Sequence, residues 1–127
     1  MADARGDGKN MKRKTPRAAP VEIRAADFQS AVLAAKLPVL AVFTAAWSQP
    51  CKILSATLAE VAAACAGRVK VVWLNADDCP DLGLWYEIES VPTLLFFSDG
   101  ALRARIVGTA SKTAILEKLK DALAEEK

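Results

Sequence analysis

The sequence predicts a single α/β domain with a central mixed sheet of four to five strands flanked by four helices. Two strand-like runs, Val39–Thr44 and Lys70–Asn75, are almost continuously apolar, which is typical of central parallel strands covered on both faces. Between them, residues 51–65 repeat apolar side chains at helical spacing. Strand, helix and strand therefore form a right-handed crossover. A length of 127 residues, of which 53% are hydrophobic, fits one such domain.

Four helices are expected from the spacing of apolar residues and from their stop signals. The first covers residues 25–36 and ends before Pro38, and a short one lies near residues 81–86. The helix over residues 51–65 has one apolar stripe, formed by Ile53, Leu54, Leu58, Val61, Ala62 and Cys65. Ser111 suits the N-cap of the last helix, whose apolar face is predicted to contain Ala114, Ile115, Leu119 and Leu123.

The remaining strands lie at the two edges of the predicted sheet. A weak first strand is expected near residues 21–23. Two further runs, Thr93–Ser98 and residues 102–107, flank the Asp99-Gly100 pair, whose backbone preference suits a tight hairpin turn. The sheet is therefore predicted to be parallel at its centre and antiparallel at one edge.

Residues 1–20 differ in composition from the domain that follows at residues 21–127. They contain six basic and two acidic residues and no aliphatic run, whereas the remainder contains eleven and thirteen. Such a segment cannot offset its ordering entropy by burial, so a disordered tail is expected. We interpret it as a solvated spacer. Contact of its cations with nucleic acid or a membrane is the less favoured alternative, because no aromatic residues are interleaved.

Composition disfavours several classes of protein and site. Without histidine and with only three cysteines, neither a zinc site nor a disulfide-stapled scaffold is expected, and no cofactor is predicted. No stretch approaches the roughly 18 apolar residues of a membrane helix, and the N-terminus lacks the apolar core of a secretory signal. We expect a cytoplasmic monomer. An organellar transit peptide within residues 1–20 is the alternative.

Five landmarks at matching separations carry a family likeness. They are Trp47 at the end of a strand, Pro50-Cys51-Lys52 at the start of a helix, Val91-Pro92-Thr93, Gly100 and Gly108. In this pattern residues 21–123 resemble the thioredoxin family. The resemblance implies the thioredoxin fold and a Cys-x-x-Cys pair whose first cysteine attacks a disulfide.

At the positions of that pair this chain has Ser48 and Cys51. We call the segment Ser48-Gln49-Pro50-Cys51 the motif. Thiolate is the nucleophile in such chemistry, and a serine hydroxyl neither ionises usefully near neutral pH nor forms a disulfide. The resemblance also implies a buried aspartate and a nearby lysine beneath the motif. Val42 and Trp73 occupy those two positions, so the catalytic surroundings are predicted to have changed together with the nucleophile.

The resemblance further implies a motif groove, which we define as Trp47, Gln49, Pro50, Val91 and Pro92. Pro92 is expected in the cis form, facing the motif, with the backbone of Val91 available to an extended peptide. Trp47 is expected to be exposed, where it either contacts a partner or closes the strand by packing.

The two other cysteines are interpreted differently from Cys51. Cys65 lies on an apolar stripe and is predicted to be a buried small hydrophobe. Cys79 precedes Pro80 at a predicted helix N-terminus, where its thiol is either reactive or an incidental surface group.

Three functions follow from these observations. The first is a redox-impaired module, of co-chaperone or scaffold type, that binds a polypeptide or a protein thiol in the motif groove. The second is a thiol-disulfide oxidoreductase, either with a Cys→Ser change at Ser48 or with atypical monothiol use of Cys51. A weaker third makes the basic tail the tether to nucleic acid or membrane.

Overall fold

The computed structural model describes residues 19–124, and most of the predicted tail lies outside this range. The strands are β1 (Val21–Glu22), β2 (Val39–Thr44), β3 (Lys70–Asn75), β4 (Thr93–Ser98) and β5 (Ala101–Val107). The α-helices are α1 (Gln49–Ala64), α2 (Pro80–Trp85) and α3 (Lys112–Ala124). A first helical segment precedes β2 and consists of a 3₁₀ turn, Ala25–Asp27, and a π-helical turn, Gln29–Leu33.

The five strands form one mixed sheet in the order β1-β3-β2-β4-β5. The three strands β1, β3 and β2 run parallel, whereas β4 is antiparallel to β2 and β5 is antiparallel to β4. The apolar runs occupy the middle of this sheet, since every residue of β4 and all of β2 except Thr44 are buried. The predicted fold class is confirmed.

Alternate residues of the central strands supply two separate cores, one on each face of the sheet. On one face, α1 and α3 cover side chains such as Leu40, Val42 and Phe96. On the other face, the first helical segment and the α2 region cover Ala41, Phe43, Leu95 and Phe97. This second core contains an aromatic cluster in which the rings of Phe28, Tyr86 and Phe97 lie 5.6 to 5.7 Å apart. Each such pair stabilises the fold by about 1 kcal/mol beyond its burial.

The first helical segment is shorter and less regular than the helix predicted over residues 25–36. Phe28 and Val32 are both buried and lie four residues apart, so a single turn places both anchors against the sheet. The chain leaves the π-helical turn after Leu33. No regular α-helix forms there.

Two predicted core residues of the longer helices are exposed instead. Ile53 of α1 keeps 64% of its surface accessible, and Ala114 of α3 is exposed. Successive helix residues lie about 100° apart, so the buried neighbours Leu54 and Ile115 take the positions that face the sheet. The predicted stripes were therefore too wide, although Cys65 is buried as expected.

The hairpin between β4 and β5 has the predicted turn. Asp99 and Gly100 both have positive φ, at 53° and 77°, as a two-residue type I′ turn requires. A Cβ atom at Gly100 would lie 2.9 Å from the Leu33 carbonyl oxygen, so this glycine also permits a close approach of the first helical segment. No helix within residues 19–124 combines the length and the apolar character needed to cross a membrane.

Candidate functional site

The strand register brings four loops together at one end of the strands. Phe43 pairs with Thr93, so the motif that follows β2 lies beside the loop that precedes β4. Thr44 pairs with Asn75 and Thr93 with Val107, so the last residues of β3 and β5 lie at this same end of the sheet. The residues of the motif groove are thereby brought to adjacent loops, although they are far apart in sequence.

Ser48 is a helix cap in this structure. It has extended backbone geometry and is 5% exposed, and its hydroxyl oxygen accepts a hydrogen bond from the Cys51 N–H at 3.3 Å. This contact satisfies a backbone donor in the first turn of α1, which has no partner within the helix. The sequence contains no histidine to act as its base, so the geometry assigns this hydroxyl a structural task rather than nucleophilic attack.

Cys51 is the third residue of α1 and is almost fully buried. It lines a side cleft of about 480 Å³, whose walls include Thr44, Leu58 and Trp73. The open space next to this thiol is therefore the cleft and not the outer surface of the motif.

The other cysteines do not replace the missing partner of Cys51. All three cysteines are free. Cys65 follows the last residue of α1, about 20 Å farther along the helix at 1.5 Å per residue. Cys79 belongs to the core on the opposite face of the sheet.

Val42 and Trp73 are neighbours in register on the parallel strands β2 and β3. Val42 is completely buried in the core beneath α1, and Trp73 packs against the same core. Both side chains are apolar. A carboxylate at position 42 and an ammonium group at position 73 would each have needed the other as a partner, because burying an unpaired charge is costly. No charged pair therefore stands between these two positions.

Trp47 is held at the surface of the motif. Its side chain is 71% exposed, and its indole Nε1 donates a hydrogen bond to an Asp77 carboxylate oxygen at 2.9 Å. Gln49 and Pro50 beside it are exposed as well. A fixed, exposed indole offers a large apolar contact area at low entropic cost.

The loop before β4 presents its backbone. The Val91–Pro92 bond is cis, and Pro92 is buried with its carbonyl accepting from the Gly108 N–H at 2.8 Å. Thr93 donates its hydroxyl proton to the Ser90 carbonyl at 2.7 Å, which closes the loop. Neither the N–H nor the C=O of Val91 bonds to another residue within the range 19–124. An extended peptide could pair with both groups.

Cys79 occupies the expected N-cap position before Pro80, but it is only 2% exposed. Burial, with a smaller contribution from Asp78, raises the pKa of its thiol, although a hydrogen bond with the backbone of Ala25 opposes the shift. Raising this pKa disfavours the thiolate. The interpretation of Cys79 as an incidental surface group is wrong, because the thiol is buried in the core. The alternative, a reactive thiol, stays a prediction, and the burial weighs against it.

Three structural features were not predicted from the sequence. The capping role of Ser48 had a local signal, because serine is a preferred N-cap residue and Ser48 directly precedes the start of α1. The contact of Asp77 with Trp47 joins residues 30 positions apart and has no local signal. The exposure of Leu84 and Trp85 on α2, at 82% and 79%, is a tertiary property of the same kind.

Comparison with known proteins places these features in a family. The family model described as Thioredoxin matches residues 19–121. A thioredoxin of Mycobacterium tuberculosis is 36% identical over 105 residues, which cover 83% of this chain and 90% of the relative. The M-type chloroplastic thioredoxin of Triticum aestivum is 35% identical over 89 residues, and the match covers 70% of this chain but only 51% of that relative.

The fold agrees with a solved structure as well. Chloroplastic thioredoxin z superposes with a TM-score of 0.76 and 28% sequence identity, covering 84% of this chain and 96% of that one. The sequence match, the five-stranded mixed sheet and the position of the motif at the start of α1 agree with one another. The chain therefore belongs to the thioredoxin family.

Proposed function

We propose that this protein binds polypeptides bearing thiols or disulfides in the motif groove, and that its own motif chemistry is limited to the single thiol of Cys51. The observation that carries the proposal is the state of Ser48, whose hydroxyl is buried and bonded to the Cys51 N–H. A hydroxyl in that role supplies no attacking sulfur. A mixed disulfide at Cys51 would have no neighbouring thiol to resolve it.

Several features of the groove support polypeptide binding. The exposed indole of Trp47 and the unbonded backbone groups of Val91 lie on adjacent loops. Aromatic anchors and strand-like backbone pairing are a common combination for holding extended peptides. In this proposal the protein acts as a binding module of co-chaperone or scaffold type, without dithiol turnover.

A second candidate is a thioredoxin-type thiol-disulfide oxidoreductase, and its support is equally specific. Its relatives are named thioredoxins, and Cys51 adjoins an open cleft at a helix N-terminus. In this alternative Ser48 stands in place of a catalytic cysteine, or Cys51 acts alone with an external thiol. The compartment is the cytoplasm in our proposal, with an organelle as the alternative that the chloroplastic relative suggests.

Reduction of insulin disulfides by dithiothreitol separates the two candidates. The unaltered chain is expected to give no acceleration over dithiothreitol alone, and Ser48→Cys tests whether the surroundings still support turnover. If the unaltered chain accelerates reduction and Cys51→Ala abolishes the effect, the binding-module proposal is wrong and a monothiol enzyme replaces it. Strong activity confined to Ser48→Cys favours the oxidoreductase with a substituted nucleophile.

Binding itself is measured with reduced, alkylated insulin B chain, which presents an extended polypeptide without disulfide chemistry. Trp47→Ala is expected to weaken its binding at least tenfold, because the exposed ring is the largest apolar contact of the groove. Leu37→Ala, a truncation of another exposed apolar residue, is the matched control. Equal affinity of the unaltered chain and Trp47→Ala would remove the groove from the proposal.

A further inference from the structure

Helix α2 exposes two large apolar side chains that the fold does not use. Leu84 and Trp85 are 82% and 79% exposed, more than any other large hydrophobic residue in the described range. Adjacent exposed apolar residues of this size on a folded surface typically mark an interaction site. Leu84 also lines a shallow groove of about 410 Å³ between α2 and the loop that follows it. We call this the α2 groove, and its lining includes Ala76, Pro80, Leu84, Glu87, Ile88 and Glu89.

The chain segment that forms the α2 groove carries only acidic charged residues. Five exposed carboxylates fall within 13 consecutive residues: Asp77, Asp78, Asp81, Glu87 and Glu89. No lysine or arginine occurs anywhere from residue 71 to residue 102. The guanidinium of Arg105 reaches this region from β5, where it donates to the Tyr86 carbonyl at 2.7 Å and holds the end of α2. We call these five carboxylates the acidic rim, and two of them, Glu87 and Glu89, line the α2 groove together with Leu84.

Glu87, one carboxylate of this rim, has a backbone conformation that disfavours a glutamate. The Ile88 N–H bonds to the Gly83 carbonyl at 2.7 Å and the Glu87 N–H to the Leu84 carbonyl at 3.2 Å. This is a Schellman motif, and its first residue beyond the cap adopts the left-handed conformation that glycine fills without strain. Here that residue is Glu87, with φ of 57°. Local backbone preference does not explain a glutamate at this position, whereas a use for its carboxylate does.

The acidic segment connects to both sides of the motif groove. At its start, Asp77 accepts the hydrogen bond from the Trp47 indole. At its end, Glu89 and Ser90 lead directly into Val91 and Pro92. A polypeptide that occupies the motif groove can therefore continue over α2 without leaving the protein surface.

We propose that the α2 groove and its acidic rim bind a basic polypeptide, whose apolar side chain packs on Leu84 and Trp85 while lysines or arginines meet Glu87, Glu89 and Asp81. This proposal rests on the proposed function, because it identifies the chemistry of the partner held beside the motif groove. Charge complementarity selects a cationic partner, and the exposed pair supplies the anchor contacts that contribute most of the affinity of an interface.

The test uses two fluorescein-labelled 12-residue peptides with the same leucine and phenylalanine positions. One carries four lysines, and the other carries four glutamates in their place. The lysine peptide is expected to bind the full-length chain at least tenfold more tightly at about 20 mM salt, with the difference shrinking at about 0.5 M, where exposed charges are screened beyond roughly 4 Å. Equal affinities for the two peptides overturn the proposal.

Substitutions then locate the binding. Leu84→Ala and Trp85→Ala are each expected to weaken the lysine peptide about tenfold, and Glu89→Gln about threefold. Glu60→Gln changes an exposed carboxylate on α1, on the other face of the sheet, and is the matched control. If Leu84→Ala and Trp85→Ala bind normally while Trp47→Ala does not, the motif groove binds the peptide without α2, and only the present proposal fails.

Glu87→Gly separates binding from stability. Glycine relieves the left-handed backbone, so the midpoint of urea unfolding is expected to rise, while loss of the carboxylate weakens the lysine peptide about threefold. A merely structural Glu87 would give no change in affinity, and that result contradicts the proposed role. Unfolding and peptide titration of the same preparation give both readouts.

Two other occupants have distinct outcomes. If the lysine peptide binds only after Lys12→Gln, Arg13→Gln and Lys14→Gln are introduced together, the chain's own N-terminal residues cover the α2 groove, and an external partner is excluded. If the unaltered chain sediments as a dimer that Trp85→Ala converts to a monomer, the occupant is a second copy. Either result overturns the proposal of a basic partner.

Discussion

The Ser48 side chain does a different job from the cysteine that the family likeness puts in its place. Its hydroxyl oxygen accepts the Cys51 N–H at 3.3 Å and begins α1. Removing such a cap costs about 1 kcal/mol, because a backbone donor at the helix start loses its partner. Ser48→Ala is therefore expected to lower the free energy of unfolding by about 1 kcal/mol in urea titrations.

Ser55→Ala is the control for that measurement. The Ser55 hydroxyl donates to the Lys52 carbonyl from an exposed position inside the same helix, where alanine has the higher helix propensity. We expect Ser55→Ala to be neutral or slightly stabilising. Equal destabilisation by the two substitutions would contradict the capping role of Ser48.

The buried Cys79 thiol and the partly buried Tyr86 phenol predict how stability depends on alkaline pH. Burial raises the pKa of the Cys79 thiol from its ordinary 9.0 and the pKa of the Tyr86 phenol from 10.0. A raised pKa in the folded state means that unfolding releases protons above the unfolded pKa. The stabilising contribution is thus complete below pH 9 and is lost as the pH rises from there through the folded pKa values.

The corresponding experiment is denaturant unfolding at pH 8, 9.5 and 10.5. The free energy of unfolding is expected to fall above pH 9, by up to about 1.4 kcal/mol per pH unit for each titrating group. Cys79→Ser removes the first group and should delay the fall to about pH 10, where Tyr86 begins to contribute. An unchanged pH profile in Cys79→Ser would show that this thiol titrates alike in both states.

At the level of the elements, β2 and β3 have apolar packing at the two positions where the family resemblance implies a buried aspartate and a nearby lysine. Val42 and Trp73 are in register on these parallel strands. A carboxylate at the fully buried position 42 would lack a partner, so Val42→Asp is expected to lower the free energy of unfolding by about 3 kcal/mol. Trp73→Lys is expected to destabilise by itself, because it removes packing against the core beneath α1.

The double variant measures whether the strands still hold the geometry of a pair. Because lysine and aspartate would be neighbours, the combined loss is expected to fall short of the sum by about 1 kcal/mol or more. Val42→Asn, combined with the same lysine, buries a polar group without charge and should show no such coupling. Additive losses in both double variants would mean that the remodelled strands no longer bring these side chains together.

The same elements indicate how far the sequence could predict the structure. Strands β2, β3 and β4 were predictable because a centrally buried strand has to be apolar on both faces. The turn between β4 and β5 was predictable from the Asp99-Gly100 pair itself. The π-helical turn and the exposure of Ile53 were not predictable, because tertiary packing decides which side chains of a marginal or wide stripe reach the sheet. At the site, the family likeness predicted the residues of the motif groove, which the strand register brings to adjacent loops, and their binding role stays a prediction. The burial of Cys79 and the Asp77 contact with Trp47 depend on long-range packing and had no local pattern.

For the whole molecule, one sheet separates two cores that share only its backbone. Stacked layers lie about 10 Å apart, beyond the range at which substitutions usually couple. Ile115→Val, on the buried face of α3, and Phe28→Leu, in the aromatic cluster, are each expected to lower the free energy of unfolding by about 1 kcal/mol, the usual cost of small core truncations. Their combination is expected to be additive within about 0.5 kcal/mol in urea unfolding.

Phe28→Leu combined with Phe97→Leu provides the contrast, since these two rings touch within one core at 5.7 Å. That pair is expected to deviate from additivity by at least about 0.5 kcal/mol, because one substitution already removes the ring contact that the other would lose. Coupling of the same size between Ile115→Val and Phe28→Leu would mean that the sheet transmits packing changes from one face to the other. The two cores would then respond to truncation as a single unit.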